Sequence, residues 1–169
     1  WTVDFARQDG DNLWSDLMRR DYRINAIALT LKGEPKLLDP SGGLKDLRDG
    51  QITAIHEQNL LDDPLRLLRA LRLMSELSMT IDENTLKLIS RHRGHLPNVA
   101  PERIQAELLK LVQASNADEA ISLLHSLQLV APWCCEQPPK SFNAKLLTEE
   151  EQEFALPLAR LTELLTDQG

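Results

Sequence analysis

The sequence has few of the features that mark membrane, secreted or disulfide-stabilised proteins. It contains only two cysteines among 169 residues, the adjacent pair Cys134 and Cys135. Neighbouring cysteines provide neither a disulfide framework nor the second ligand pair of a zinc site. No apolar run approaches the ~20 residues of a membrane-spanning helix, and no basic flank followed by an apolar core opens the chain. We therefore expect a globular cytoplasmic protein without membrane attachment.

A basic excess is also lacking. The formal net charge is −7, whereas general electrostatic binding of nucleic acid depends on many Lys and Arg side chains that neutralise phosphates. This charge excludes a generic nucleic-acid binder but leaves room for a local basic site. The length and the 42% hydrophobic content suit one ordinary domain or two small ones. Because the chain begins at Trp1, within a strand-like run, we expect it to be a piece of a longer protein.

Residues 1–56 carry short patterns of both kinds of secondary structure. The pattern predicts strands over residues 1–7 and 51–55, a hairpin with arms at 26–31 and 36–40, and helical turns over 13–20 and 44–49. In the first of these helices, Leu13, Trp14 and Leu17 share one side. So few short strands cannot form a sheet with both faces covered, so we expect further strands N-terminal to this part.

From Asp62 onward the apolar spacing becomes helical and stays so. Helices are predicted over residues 62–77, 82–92, 101–114 and 117–129, and a last helical pattern over 148–165 is interrupted by Pro157. We expect an α+β fold that is predominantly α-helical, divided near residue 56. Residues 1–56 and 57–130 form its two main parts, and 131–169 form a linker followed by the start of a further helical region.

Residues 19–25, RRDYRIN, concentrate three arginines, an aspartate and an asparagine in seven positions. Arginine forks and an asparagine amide suit phosphate oxygens, and an aspartate suits a sugar hydroxyl, so the composition fits the polar half of a nucleotide. A solvated surface face would also explain these charges. Residue types alone leave both interpretations open.

A second polar constellation begins the long helical stretch, in LDDPLRLLRALR. Asp63 and Arg66 are three residues apart, as are Arg66, Arg69 and Arg72 in succession, so we expect each set to share a helical face. One interpretation is an intrahelical salt bridge with a basic stripe. In the other, Asp63 accepts from an exocyclic amine while Arg66 donates to a ring atom, and together they recognise a base edge. DPSGGLKDLRDG between the two constellations is interpreted as a tight structural connection, because adjacent glycines permit conformations closed to other residues.

The ordered set RRDYRIN, DPSGGLKDLRDG, DDPLRLLRALR and PERIQAELLKLV resembles the class II tRNA nucleotidyltransferases and the related bacterial poly(A) polymerases. That family has RRDxxxN, DPxGGxxDLxxG and EDPxRxxRxxR motifs and a later ERI-type helix, and the resemblance covers roughly residues 3–130. It implies that residues 1–56 are the C-terminal part of a nucleotidyltransferase head domain and its sheet. It further implies that residues 57–130 are a helical neck and that 131–169 begin a helical body.

The resemblance also implies a role for each matching residue. Arg20 would reach the triphosphate, Asp21 would hold the ribose 2′-hydroxyl, and Asn25 would complete that site. Asp63 and Arg66 would form an amino-acid template for the incoming base, with Arg69 supporting the phosphates or this template from the next helical turn. The family usually has glutamate where this chain has Asp62, a position that orients the arginine.

The metal-binding motif of the family, an Asp-x-Asp pair after a Gly-Ser-type turn, does not occur in this sequence. The resemblance implies Mg²⁺ held mainly by residues outside this chain, so we expect the chain alone to be inactive. Asp4 lies where a third carboxylate of such a sheet could stand, although a polar residue at a strand edge is the simpler interpretation.

The expected function is addition of C or A nucleotides, or both, from CTP and ATP to the 3′ end of tRNA. A poly(A) polymerase acting on other RNA 3′ ends remains an alternative within the family. A non-catalytic helical RNA-binding or interaction domain remains an alternative outside it.

Overall fold

The structure, a computed structural model, describes residues 12–31, 33–134, 157 and 160. The helices are α1 (Leu13–Met18), α2 (Gly43–Asp49), α3 (Glu57–Asp62), α4 (Leu65–Leu77), α5 (Glu83–His92), α6 (Pro101–Gln113) and α7 (Ala117–Ser126). The strands are β1 (Ala28–Leu29), β2 (Leu37–Leu38), β3 (Gln51–Ile52) and β4 (Thr80–Ile81), and short 3₁₀ turns cover Arg23–Asn25, Arg93–Asn98 and Ala131–Trp133. The predicted helix-dominated α+β class is confirmed.

Local sequence explains where the first elements begin and end. Asn12 caps α1, since its side chain accepts a hydrogen bond from the Ser15 N–H at 2.9 Å. The carboxylate of Asp39 accepts from the N–H groups of Gly43 and Leu44 at the start of α2. The helix stops at Gly50, which adopts a left-handed conformation with φ of 66°. Trp14 does not share the buried side of α1 with Leu17, because it is 56% exposed.

The strands form two small sheets. β1 and β2 pair antiparallel, with Ala28 opposite Leu38, as the predicted hairpin requires. β3 instead pairs in parallel with β4, which places Ile52 opposite Ile81. β4 lies in the gap between the helices predicted over 62–77 and 82–92, and neither β4 nor α3 was predicted. Both elements are too short to show a clear hydrophobic period.

Helix α4 is the centre of the described core and packs against α6 and α7. Its inward side chains Leu67, Leu68 and Leu71 are at most 1% exposed. One hydrophobic cluster extends from Tyr22 and Ile52 through α4 to α7. Residues on both sides of residue 56 therefore contribute to one buried core. The division into 1–56, 57–130 and 131–169 stays a prediction.

Several sequence-based expectations fall on residues beyond the part that the structure describes. They are the strand over 1–7 with Asp4, Cys135, and the helix over 148–165 apart from Pro157 and Arg160. Both of these latter residues are helical, and Arg160 donates to the carbonyls of Val112 and Ala114 at the end of α6. Cys134 is half-buried, and its Sγ donates to the carbonyl of Val130 at 3.4 Å. Within the ranges described, no helix has the length and apolar content to cross a membrane.

Candidate functional site

A polar cleft of about 420 Å³ opens between the end of α1, the following loop and the first turns of α4. The residues that line it are Asp16, Arg19, Arg20, Asp21, Asn25, Arg66 and Arg69. Arginines outnumber aspartates in this lining, so the cleft is locally basic in an acidic chain. The structure thus brings RRDYRIN together with Arg66 and Arg69 of α4, although the two motifs are far apart in the sequence.

Asp21 lies at the floor of the cleft with only 4% exposure. Its Oδ1 accepts from the Tyr22 N–H at 2.8 Å and from the Asn25 amide at 3.0 Å. Its Oδ2 is 3.2 Å from Arg69 Nε, but the two atoms are not aligned for a hydrogen bond and neither has another partner among the described residues. Asn25 therefore orients the carboxylate, and Oδ2 with Arg69 Nε keeps unused hydrogen-bonding capacity.

Tyr22 connects the loop after α1 to helix α4. Its side chain is fully buried, and its hydroxyl donates to the Arg66 carbonyl at 2.6 Å. Burial, which removes the hydration that a phenolate needs, raises the pKa of Tyr22 far above its ordinary value, and the nearby Asp21 charge adds to the effect. The hydroxyl therefore stays protonated and remains a donor.

Arg66 and Asn59 hold the backbone of the same loop. Arg66 Nη1 donates to the carbonyls of Arg19 at 3.0 Å and Asn59 at 2.8 Å. The Asn59 amide donates to the carbonyls of Met18 at 2.9 Å and Arg20 at 2.7 Å. Sequence reasoning missed Asn59, because an asparagine on a short helix carries no signal of which loop it will contact.

The arginines of RRDYRIN face different ways. The Arg20 side chain is half exposed at the rim of the cleft and pairs with Asp16 at 3.1 Å. Arg23 is not part of the cleft lining; it lies 3.8 Å from the buried carboxylate of Asp46 on α2.

Asp63 is positioned differently from the sequence-based expectation. It follows α3 in an extended conformation, with φ of −143° and ψ of 95°, because the residue before a proline is disfavoured in helical conformation. The expectation that Asp63 and Arg66 share one helical face is therefore wrong. The Asp63 carboxylate accepts from Arg103 of α6 at 2.8 Å and is not part of the cleft lining.

Two further residues of the DDPLRLLRALR stretch have partners of their own. The Arg72 guanidinium lies between Glu76 and Glu107, at 2.6 and 2.7 Å, so it braces α4 against α6 and does not continue the basic stripe into the cleft. Asp62 is exposed and accepts from Gln58 at 2.8 Å. Within the described part of the chain, no group of three His, Cys, Asp or Glu side chains could hold a metal ion.

Comparison with known proteins gives two family matches. Residues 3–53 match the poly(A) polymerase head domain, and residues 78–136 match a region described as the probable RNA and SrmB binding site of polymerase A. The CC-adding tRNA nucleotidyltransferase of Synechocystis sp. is 38% identical over 143 residues, which are 85% of this chain and 34% of that protein. The A-adding tRNA nucleotidyltransferase of Deinococcus radiodurans is 38% identical over 124 residues, covering 70% of this chain and 28% of that protein.

A solved structure of the Bacillus stearothermophilus CCA-adding enzyme in complex with CTP has a similar fold. The TM-score is 0.67 at 30% identity, over 88% of this chain and 34% of that one. The sequence and structure matches define the same class, the nucleotidyltransferases. Within it, the chain belongs to the family of class II tRNA nucleotidyltransferases and bacterial poly(A) polymerases. The chain spans about a third of the length of the curated relatives it matches.

Proposed function

We propose that this chain is the nucleotide-selecting part of an enzyme that adds C or A nucleotides, or both, to the 3′ end of tRNA in the cytoplasm. The observation that carries the proposal is the basic cleft in which Arg20, Asp21, Asn25, Arg66 and Arg69 meet. Its paired charges, buried carboxylate and open volume suit a small anionic ligand with a polar sugar. CC-adding and A-adding enzymes among the relatives support a nucleoside triphosphate as that ligand.

The triphosphate and the ribose would use the α1 side of the cleft. Arg20 at the rim offers a charged donor to phosphate oxygens, and Asn25 holds Asp21 in place through Oδ1. The remaining oxygen of Asp21, Oδ2, would accept from the ribose 2′-hydroxyl once Arg69 moves slightly from its position 3.2 Å away. This contact would select ribonucleotides, because a deoxyribonucleotide leaves the buried oxygen unpaired.

The base would lie against α4. Arg66 commits Nη1 to two carbonyls, which leaves Nε and Nη2 to donate to ring atoms. Asp63 would accept from the exocyclic amine shared by cytosine and adenine, and this requires its carboxylate to exchange the Arg103 guanidinium for the base. A good bidentate contact of this kind is worth about 1–3 kcal/mol of discrimination.

Nucleotidyl transfer in this family uses divalent metal, and we propose Mg²⁺ as the ion. The described residues do not provide the carboxylate cluster that would hold it. We therefore assign the metal to residues beyond those described, with Asp4 as the candidate within this sequence. The residues of the cleft contribute binding and orientation.

The test is nucleotide addition by the complete protein encoded by the gene. It is incubated with tRNAs that end before CCA, after the first C and after CC, and each nucleotide is supplied separately. We expect CTP, ATP or both to extend at least one of these substrates, with little use of GTP or UTP. If no tRNA is extended while unrelated RNA receives a poly(A) tail, the tRNA assignment is wrong.

The family matches also support two alternative functions. A poly(A) polymerase is supported by the descriptions of both matched family regions, which name that enzyme. A non-catalytic RNA-binding domain is supported by the description of residues 78–136 as a probable RNA-binding site. Binding of the same tRNAs, measured separately, without any nucleotide transfer in the assay above would favour the second alternative.

A further inference from the structure

Three consecutive main-chain carbonyls at the end of α1 are captured by two side chains from the α3–α4 region. The Asn59 amide takes the first and third, on Met18 and Arg20, and Arg66 takes the middle one, on Arg19. Arg66 also donates to the carbonyl of Asn59 itself. These contacts form a closed network between the loop that carries Arg20 and Asp21 and the helix that carries Arg66.

Asn59 is suited to hold this loop in one position. The last carbonyls of a helix lack partners within the helix and need donors from elsewhere when they are buried. One planar amide offers two N–H donors at a fixed separation, so the two carbonyls cannot move independently of each other. Asn59 is 6% exposed, which keeps water from replacing these hydrogen bonds.

We propose that Asn59 is a positioning residue of the nucleotide site. It sets the distance between the sugar and phosphate half, formed by Arg20 and Asp21, and the base half, formed by Asp63 and Arg66. Asn59 does not line the cleft, so it acts through the loop and not by contact with a ligand. This inference rests on the proposed function, since it concerns how that site selects its nucleotide.

The proposal has a consequence that a purely stabilising residue would not produce. If Asn59 holds the two halves in register, its loss should weaken selection of the sugar and selection of the base together, although these depend on different side chains. General loss of stability would lower the amount of active protein and leave both selectivity ratios unchanged.

The experiment compares Asn59→Leu, Asn59→Gln and Thr85→Val in the complete protein. Leucine removes both donors at similar size, and glutamine keeps the amide but displaces it. Thr85→Val is the matched control: Thr85 is 1% exposed, accepts from the Ala54 N–H at 2.9 Å and lies outside the cleft. Each variant is assayed for kcat/KM with CTP or ATP against the 2′-deoxy form and against UTP and GTP, beside its thermal midpoint.

We expect Asn59→Leu to lower both ratios on the order of tenfold, with a smaller joint loss in Asn59→Gln. Thr85→Val should keep wild-type ratios at a reduced midpoint. Unchanged ratios in Asn59→Gln, or in a folded Asn59→Leu, would overturn the positioning role, as would an equal loss in Thr85→Val. Failure of the wild-type protein to transfer any nucleotide is a distinct result, which would overturn the proposed function and the positioning role with it.

Discussion

At the scale of single residues, the proposed site gives one arginine two tasks. Arg66 anchors the loop after α1 through Nη1, and in the proposed function its other donors recognise a base. The planar guanidinium permits this division because its donors point in fixed, diverging directions. A lysine would keep the charge, but its donors sit on one nitrogen and could not point towards the loop carbonyls and a base at separate positions. In the proposed function, Arg66 therefore both holds the loop after α1 and binds the base.

Arg66→Lys should lower both stability and base selection. We expect a loss of about 1–3 kcal/mol in the free energy of unfolding, because the partly buried Asn59 carbonyl and the Arg19 carbonyl lose their donor. We also expect roughly a tenfold fall in preference for CTP or ATP over UTP and GTP. Urea unfolding and kcat/KM with each nucleotide measure the two effects. Arg91→Lys is the control, since Arg91 is 64% exposed and pairs with Glu57 on another face. Unaltered nucleotide preference would contradict the base-reading role.

Asp21→Ala should erode the preference for ribonucleotides over deoxyribonucleotides. The buried Oδ2 of Asp21 lies 3.2 Å from Arg69 Nε, and alanine removes this oxygen, which a 2′-hydroxyl would reach in the proposed function. The ratio of kcat/KM for CTP and dCTP, or ATP and dATP, is the measurement. Asp46→Asn serves for comparison, because Asp46 is 3% exposed but lies beside Arg23, away from the cleft. A ratio equal to the wild-type value would count against the sugar role of Asp21.

At the scale of elements, RRDYRIN is fixed from two sides. The α3–α4 region holds it through Asn59 and Arg66, and α2 packs against its 3₁₀ turn from the other side. The approach of α2 is very close: a Cβ atom added to Gly43 would lie 2.1 Å from the Arg23 carbonyl oxygen. DPSGG therefore provides the backbone space that this packing needs, in agreement with its interpretation as a structural connection.

Gly43→Ala should displace α2 from the loop and lower stability by about 1–3 kcal/mol, because backbone atoms cannot yield as a flexible side chain would. Gly94→Ala is the matched control, since a Cβ there would meet nothing within 4 Å and its φ is not positive. Chemical denaturation of both variants is the measurement. Equal stability of the two variants would show that α2 does not depend on this contact.

The same elements show what sequence could predict. Helices α4 to α7 follow from long apolar periods bounded by Pro101, Asp82 and similar start signals, and the motif residues were recognised as a set. Asn59 and the pairing of Arg103 with Asp63 were not predicted, because they depend on contacts between residues about forty positions apart. The conformation of Asp63 depended on Pro64, a local signal that was present but was outweighed by the helical spacing of the following arginines.

At the scale of the whole molecule, the predicted boundary near residue 56 crosses a continuous core. Ile52 of β3 is fully buried, pairs with Ile81 of β4, and belongs to the same cluster as α4 and α7. Residues on both sides of the boundary therefore bury their apolar surface against one another. We expect the described part of the chain to unfold as one cooperative unit, whatever the functional division.

Ile52→Ala tests this expectation, because it removes a buried side chain at the junction and should cost about 2–5 kcal/mol. If the core is shared, amides of α2 and α7 will lose the same free energy of protection in denaturant-dependent hydrogen exchange, although α2 packs against β3 and α7 packs against α4 and α6. Leu77→Ala, at a position 47% exposed, should shift neither helix by more than about 0.5 kcal/mol. Loss of protection in α2 with α7 unchanged would show instead that two units unfold independently. The boundary predicted near residue 56 would then also separate two units of stability.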